Sequence, residues 1–159
     1  MMKLKKSLLA LSCLLLCLLL AGCSGKVDST ENLTCAQIAE KAQNAADFMP
    51  LTDANVNYLE KYLMIDAEDL DDWVMRRDAT RATPEMILVL KVKPDADKAD
   101  IKQAVQEYHD EQIMAYRGYQ PAQMPKLESA SVMENGQFIV LVVSPDAAKV
   151  NSALGSGWK

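Results

Sequence analysis

The chain has 159 residues and a formal net charge of -5, with 17 Lys and Arg against 22 Asp and Glu. Half of the residues are hydrophobic and a quarter are charged, as in an ordinary globular domain, so the composition excludes a disordered tail, a collagen and a coiled-coil rod. The acidic excess also argues against a nucleic-acid-binding protein, because such proteins meet the phosphate backbone with clustered Lys and Arg.

The first 23 residues have the pattern of a secretory leader. Three lysines precede an apolar run from Leu8 to Leu20, and the run ends in the sequence Leu-Ala-Gly-Cys, whose last residue is Cys23. This ending resembles the lipobox of bacterial lipoproteins, which implies that Cys23 receives a diacylglyceryl thioether and becomes the first mature residue. The alternative is an uncleaved signal anchor, because the 19 residues from Ser7 to Gly25 carry no charge and a transmembrane helix needs about 20. Both alternatives export the domain, because the lysines stay inside.

Cleavage before Cys23 leaves 137 residues with a net charge of about -8, since three lysines are lost and all 22 acidic residues remain. Anionic headgroups repel such a domain, so we expect the lipid on Cys23 to hold it at the cell membrane, on the extracytoplasmic face. Cys35 is then the one free thiol, because Cys13 and Cys17 leave with the leader. We expect no internal disulfide and a packing role for Cys35, with a reactive thiol as the alternative.

The chain is predicted to have three parts. Residues 1–22 form the lipoprotein signal peptide, residues 23–33 form the lipidated cysteine and a polar tether, and residues 34–159 form a single domain. A flexible tether of about ten residues has an end-to-end distance on the order of 16 to 19 Å. We therefore expect the domain to work close to the membrane.

The domain is predicted to begin with two helices. Thr34 and Gln37 form a capping box at the start of the first helix, which runs to about Phe48. Leu51-Thr52 repeats the pattern of a hydrophobic staple and an N-cap, and it predicts a second helix with Val56, Leu59 and Leu63 on one face.

Two strands and a third helix follow. The alternation around Trp73 and Met75 predicts a half-buried strand, whereas Met86–Val92 is apolar on both faces and predicts a central strand. Asp95 or Asp97 is the expected cap of the next helix. Its apolar stripe contains Ile101, Ala104, Val105 and Tyr108, and it is expected to end between Tyr116 and Gly118.

A hairpin and a last helix complete the domain. A strand near Val132 is joined to the apolar strand 138–143 by Asn135-Gly136, which predicts a type I′ turn. Ser144 is the expected cap of the last helix. The order α-α-β-β-α-β-β-α predicts an α+β fold with a mostly antiparallel sheet of about four strands. We expect the third helix on one face of the sheet and the two N-terminal helices on the other.

The core from Pro84 to Trp158 resembles a known family. The apolar strand ending in Lys-Val-Lys-Pro, the capped helix, the sequence Tyr119-Gln120-Pro121 and the hairpin running into residues 138–144 are similar to an uncharacterised family of Gram-positive lipoproteins. That family is known only as a domain of unknown function, number four-three-five-eight. The resemblance implies export and this fold, and it carries no catalytic residue.

The sequence contains no recognisable catalytic or cofactor motif. His109 is the only histidine, which excludes a zinc site built from several histidines, and we expect it to be an exposed or hydrogen-bonded helical residue. There is no nucleophile elbow, and the six glycines form neither a P-loop nor a dinucleotide-binding fingerprint. We therefore expect no cofactor, no metal and no enzyme.

Three clusters of polar residues deserve a structural test. The acidic stretch Asp66–Asp72 lacks the glycine and the bidentate Glu of a calcium loop, so we expect a solvated connection. Glu107 and Glu111 share a helix face, and we expect them to be solvated too. The segment Tyr116–Pro121 has the aromatic and cationic composition of recognition surfaces, although packing at a helix end explains it as well.

These observations predict a membrane-anchored extracytoplasmic lipoprotein that binds or scaffolds. Its partners are the membrane, through the lipid on Cys23, and an envelope protein, but not nucleic acid. The alternative is an envelope enzyme with a carboxylate-only or metal-assisted site. A receptor for solute uptake is the third hypothesis, and a deep enclosed pocket would support it.

Overall fold

The computed structural model describes residues 33–159, so the predictions for the signal peptide, for Cys23 and for the tether before residue 33 lie outside the described residues. The helices are α1 Cys35–Gln43, α2 Val56–Tyr62, α3 Lys98–Tyr119, α4 Met124–Glu128 and α5 Ala147–Leu154. The strands are β1 Leu51–Asp53, β2 Leu70–Asp78, β3 Met86–Val92, β4 Val132–Asn135 and β5 Phe138–Val143. The predicted α+β class is confirmed.

The strands form one antiparallel sheet of five strands in the order β1-β2-β3-β5-β4. The sequence predicted about four, and the additional strand is β1, which pairs with the residues at the end of β2, Arg76–Asp78. The prediction that Leu51-Thr52 opens the second helix is therefore wrong. Helix α2 begins after Asn55, whose side chain accepts a hydrogen bond from the backbone N–H of Tyr58 at 3.2 Å.

The two central strands are buried on both faces, as predicted. Residues of β3 and β5 alternate between two apolar clusters, so that Leu88 and Leu141 face one side while Ile87 and Val140 face the other. The first cluster includes α2, α3 and α4, and the second includes α1 and α5. The two N-terminal helices thus cover opposite faces, contrary to the prediction. Strand β1 lies between them at the edge of the sheet, where the chain passes from one face to the other.

Most of the predicted helix signals hold. Thr34 and Gln37 form the capping box of α1, and Asp97 caps α3. Ser144 does not cap α5, because the side chain of Asp146 accepts the hydrogen bond from the backbone N–H of Lys149 at 3.1 Å. Helix α3 extends to Tyr119, beyond the predicted end. None of the helices in residues 33–159 is both long enough and apolar enough to cross a membrane.

The hairpin between β4 and β5 has a different turn from the predicted one. Asn135 pairs with Phe138, so the two central residues are Gly136 and Gln137. Gly136 has a φ of 55°, whereas the φ of Gln137 is not positive. A positive φ at the first central residue alone is the pattern of a type II′ turn.

The C-terminal tail lies along the outer edge of β4. The backbone N–H of Glu134 donates to the carbonyl of Lys159 at 2.9 Å, and the N–H of Lys159 donates back to the carbonyl of Glu134 at 3.2 Å. Trp158 packs on the cluster that contains α1 and α5.

Candidate recognition cleft

A cleft lies where the end of β2 meets α2 and α3. It consists of two adjoining depressions that share Arg77, Asp78 and Arg81. The larger depression, of about 250 Å³, extends along residues 52–55 to Tyr58. The smaller one, of about 70 Å³, is lined by residues of the β2–β3 connection and by the α3 side chains Tyr108, Gln112 and Tyr116. We call the two together the arginine cleft.

All five tyrosines of the chain lie on the two helices that border the arginine cleft. The rings of Tyr58 and Tyr62 stack with their centroids 4.4 Å apart. The hydroxyl oxygens of Tyr58 and Tyr108 are 3.2 Å apart and share a hydrogen bond. Tyr116 is half-buried in the wall of the cleft, and Tyr119, one turn further along α3, is 77% exposed.

Arg77 lies at the centre of this arrangement. Its guanidinium carbon is 4.0 Å from the centroid of the Tyr58 ring, which is a cation–π contact. Its side chain is half-buried, and within residues 33–159 it forms no ion pair and no hydrogen bond. Arg81 is exposed at the rim of the cleft, and its φ of 61° is in the left-handed region that few non-glycine residues adopt.

Asp78 fixes the loop that carries Arg81. One of its carboxylate oxygens accepts hydrogen bonds from the backbone N–H and the hydroxyl of Thr80, at 2.8 and 2.7 Å. The other accepts from the N–H and the hydroxyl of Thr83, both at 2.8 Å. Burial alone raises the pKa of Asp78, but these hydrogen bonds outweigh it and lower the pKa to about 2. The carboxylate is therefore ionised and fully bonded at neutral pH.

The other two acids of the cleft wall are also engaged. Asp53 accepts from Nε of Arg76 at 3.3 Å. The buried Glu85 binds Nζ of Lys126 at 2.7 Å and the backbone N–H of Met49 at 2.7 Å. Each lining carboxylate thus has partners other than the two lining arginines.

The hydroxyls of Tyr108 and Tyr116 stay protonated at neutral pH. Burial raises the pKa of Tyr108, and its hydrogen bond to Tyr58 adds to the effect. Burial and the nearby charge of Asp78 raise the pKa of Tyr116, while Arg77 partly opposes them. Neutral hydroxyls beside a guanidinium can bind a polar or anionic group, and no acid and base are paired across the cleft.

Cys35 and His109 lie outside the cleft. Cys35 is fully buried in the second apolar cluster, and burial raises the pKa of its thiol, in agreement with a packing role. His109 is buried rather than exposed, with Nε2 3.0 Å from the carbonyl of Leu127 and with no partner for Nδ1. It therefore joins α3 to α4 and does not line the cleft.

The acidic residues that the sequence singled out have local roles. Asp66 caps a short turn, and the side chain of Asp72 accepts a hydrogen bond from the backbone N–H of Cys35 at 2.9 Å. Glu107 is exposed and binds Gln103 at 2.8 Å. In residues 33–159, no three or more His, Cys, Asp or Glu side chains are grouped so that they could hold a metal ion.

The segment Tyr116–Pro121 is only partly a loop. Its tyrosines belong to α3, and Tyr116 lines the arginine cleft. The sequence reasoning missed Tyr58, Arg77 and Arg81. Helical spacing could have indicated the faces, since Tyr58 and Tyr62 are one turn apart and Tyr108, Gln112, Tyr116 and Tyr119 follow one stripe of α3.

Comparison with known proteins identifies the family and nothing more specific. No curated protein and no solved structure matches the chain. Residues 44–144, more than half of the chain, match the family described as Domain of unknown function (DUF4358). The matched segment contains every residue that lines the arginine cleft, whereas α1 and α5 lie outside it. The chain belongs to the DUF4358 family.

Proposed function

We propose that this protein is a membrane-anchored extracytoplasmic lipoprotein whose domain binds a ligand or partner through the arginine cleft. The lipobox-like sequence before Cys23 supports the anchor. One observation carries the binding role: Arg77 is half-buried against Tyr58, and no carboxylate in residues 33–159 pairs with it. Arg and Tyr are the residue types enriched at the energetic centres of binding interfaces.

The hydrogen bonding of the acids favours binding over catalysis. A general acid in an enzyme needs a carboxyl group whose pKa is raised toward neutrality. Asp78 has the opposite shift, and Glu85 is bound by Lys126 and by a backbone N–H. Both buried carboxylates thus have structural partners.

An envelope enzyme with a carboxylate-only or metal-assisted site is the second candidate, because Asp53, Asp78 and Glu85 line the same cleft. Hydrolysis of envelope glycans or peptides by the purified protein, abolished in Asp53→Asn, would favour the enzyme. Asp53 is the right position for this test, since its side chain is 80% exposed and we expect its substitution to preserve the fold.

The anchor is tested by intact mass spectrometry of the membrane-extracted protein. We expect a chain that begins at Cys23 and carries a diacylglyceryl group. The Cys23→Ala variant should lose that mass and leave the membrane fraction after signal-peptide removal. A chain that retains residues 1–22 would instead identify an uncleaved signal anchor.

The binding role is tested by photo-crosslinking in intact cells. A photoreactive phenylalanine analogue at Tyr119, exposed at the end of α3, should give one dominant crosslinked species. The same analogue at Ser152, exposed on α5 on the opposite face of the sheet, is the matched control. Equal products from both positions, or none from residue 119, would contradict a binding role for the cleft.

A further inference from the structure

We propose that the ligand of the arginine cleft presents an oxyanion, a carboxylate or a phosphate group, to Arg77 and Arg81. This inference rests on the proposed binding function and gives the chemical class of the group recognised. Arg77 and Arg81 are the charged contacts to the ligand, and the ring of Tyr58 packs against Arg77.

Within residues 33–159, no charged side chain of the cleft wall forms an ion pair with Arg77 or Arg81. Five charged side chains line the two depressions: Asp53, Asp78, Glu85, Arg77 and Arg81. The three acids are bonded to Arg76, to Thr80 and Thr83, and to Lys126. Asp53 and Glu85 are neutralised by Arg76 and Lys126, whereas Asp78 keeps its negative charge because Thr80 and Thr83 are neutral. The two arginines set against Asp78 leave a local charge of about +1 on a chain whose net charge is negative. Within residues 33–159 no carboxylate pairs directly with Arg77, and a bound anion would supply that partner.

The geometry around Arg77 suits an oxyanion. The guanidinium carbon of Arg77 lies 4.0 Å from the centroid of the Tyr58 ring, and this contact restricts the side chain. The planar fork of a guanidinium matches two oxygens of a carboxylate or phosphate, and partial burial strengthens such a pair. Ordering the side chain before binding also reduces the entropy that binding would otherwise cost.

Arg81 is held in place by a strained turn. The backbone N–H of Arg81 donates to the carbonyl of Asp78 at 3.2 Å, and the Asp78 carboxylate binds Thr80 and Thr83 on either side. These bonds keep Arg81 at a φ of 61°, a strained conformation for a residue with a side chain. Such strain persists where the surroundings impose it, and it is concentrated at functional sites.

Hydroxyl groups complete the site. Tyr58 and Tyr108 share one hydrogen bond between their hydroxyl oxygens. When Tyr108 donates it, the O–H of Tyr58 remains available to a ligand in the larger depression, whose wall Tyr58 forms. The hydroxyl of Thr52 lines the same depression.

The test is a titration followed by NMR of the Nε–Hε groups of arginine. The chain has four arginines, so the full membrane-extracted protein in a neutral detergent gives a spectrum that single Arg→Lys variants assign. The probes for the protein in detergent are sodium phosphate and sodium acetate at constant ionic strength. For the lipid probe the detergent is removed and the protein is reconstituted into phosphatidylglycerol vesicles, with phosphatidylcholine vesicles as the control. We expect saturable shifts at Arg77 and Arg81 with a Kd on the order of 1 mM or tighter for the small anions.

Matched variants separate this site from general attraction of anions. Arg77→Gln and Arg81→Gln should each weaken binding at least about tenfold, and Arg77→Lys, which keeps the charge and loses the fork, should also weaken it. Arg117→Gln removes an exposed arginine of α3 outside the cleft and should change nothing.

The possible outcomes identify the source of the anion. They also distinguish failure of the oxyanion proposal from failure of the proposed binding function. Shifts with phosphate alone, with acetate, or with phosphatidylglycerol vesicles alone support the site and identify the anion as a phosphate ester, a carboxylate or a lipid headgroup. No saturable shift, or an equal shift at Arg117, overturns the oxyanion proposal. In that case a dominant crosslink from residue 119 leaves the binding function standing, and its absence removes both.

Discussion

The two faces of the sheet are covered by helices of different character. On one face, α1 and α5 pack Cys35, Ala39, Ala42 and Val150 against β3 and β5. Cys35, Ala39 and Ala42 are small and allow close contact between α1 and the sheet, while the larger Ile38 and Leu154 complete the apolar contact. On the other face, α2 and α3 contribute larger side chains, among them the stacked and hydrogen-bonded tyrosines, and they leave the arginine cleft between them and the end of β2.

Under the proposed function, recognition depends on the face of α2 and α3, whereas both faces contribute to stability. The face of α1 and α5 consists of apolar contacts together with completed helix caps. The face of α2 and α3 carries Arg77, which forms no ion pair within residues 33–159, and a loop in a strained conformation. The family match agrees with this division, because it covers the cleft and omits α1 and α5.

The largest expected loss of stability comes from truncating a buried apolar side chain under each face of the sheet. Ile38→Ala on α1 and Leu59→Ala on α2 remove side chains that are at most 1% exposed, and each should cost about 2 to 5 kcal/mol in urea unfolding. Only Leu59→Ala should also weaken oxyanion binding, since Leu59 follows Tyr58 on the helix that positions Arg77. Equal loss of binding in both variants would show that the faces are not independent.

The next largest effect concerns Asp78. Asp78→Asn replaces an acceptor of four hydrogen bonds by a group whose nitrogen cannot accept, so we expect a loss of about 2 to 3 kcal/mol. A matched control is Asp53→Asn, an exposed acid of the same cleft, which should cost less than about 1 kcal/mol. Chemical denaturation of the two variants at neutral pH measures the difference.

Asp78 also predicts a pH dependence of stability. Its pKa is lowered from 3.8 to about 2 on folding, so the unfolded chain binds the proton more tightly. The stabilisation is therefore complete above pH 4 and is lost as the pH falls from about 4 to about 2, with a total of about 2 kcal/mol. Denaturation of Asp78→Asn across this range should show a flatter profile than the parent chain, and identical slopes would contradict the assignment.

Arg77→Gln should have a small effect on stability. The cation–π contact with Tyr58 contributes about 0.5 to 1 kcal/mol, and removal of an uncompensated charge opposes that loss. The free energy of unfolding, measured in urea, should therefore change by less than about 1 kcal/mol. A loss of several kcal/mol would make Arg77 a structural residue and would weaken the argument for recognition.

The smallest effect is expected at Glu134, which bridges Lys98 and Lys102 on the surface at 2.7 and 3.1 Å. Its hydrogen bond to Lys98, and then that to Lys102, lower its pKa. Because exposed ion pairs contribute little, Glu134→Gln should change the free energy of unfolding by about 0.5 kcal/mol or less. A larger change in thermal denaturation would indicate that α3 depends on this edge of the sheet.

The sequence predicted the elements whose pattern is strong. Met86–Val92 and the strand Phe138–Val143 have unbroken apolar runs, and the cap residues Thr34 and Asp97 precede clear helical periods. Strand β1 was missed because three residues, Leu51–Asp53, carry no period of their own and form a strand only by pairing with β2. The sequence also does not predict which face of the sheet each helix covers, because a sheet that is apolar on both faces can pack a helix on either face.

The arginine cleft was predicted only in part. The sequence singles out Tyr116 and Tyr119, but the approach of their helix to Tyr58 depends on tertiary packing between residues 50 apart in the chain, as in the Tyr58–Tyr108 hydrogen bond. The loop does carry a sequence signal. Asp78, Thr80 and Thr83 have the spacing at which side chains form hydrogen bonds with the backbone of their own turn. That Arg77 forms no ion pair in the described part of the chain follows only from the positions of the three lining acids.

The pairing of the C-terminal tail with Glu134 has a consequence for self-association. Exposed sheet edges offer unpaired N–H and C=O groups on which further chains can assemble into aggregates. Here Lys159 occupies part of the β4 edge, and the opposite edge is a strand of only three residues that includes Asp53. Both edges of the sheet therefore expose few unpaired N–H and C=O groups, which disfavours edge-to-edge aggregation of the domain.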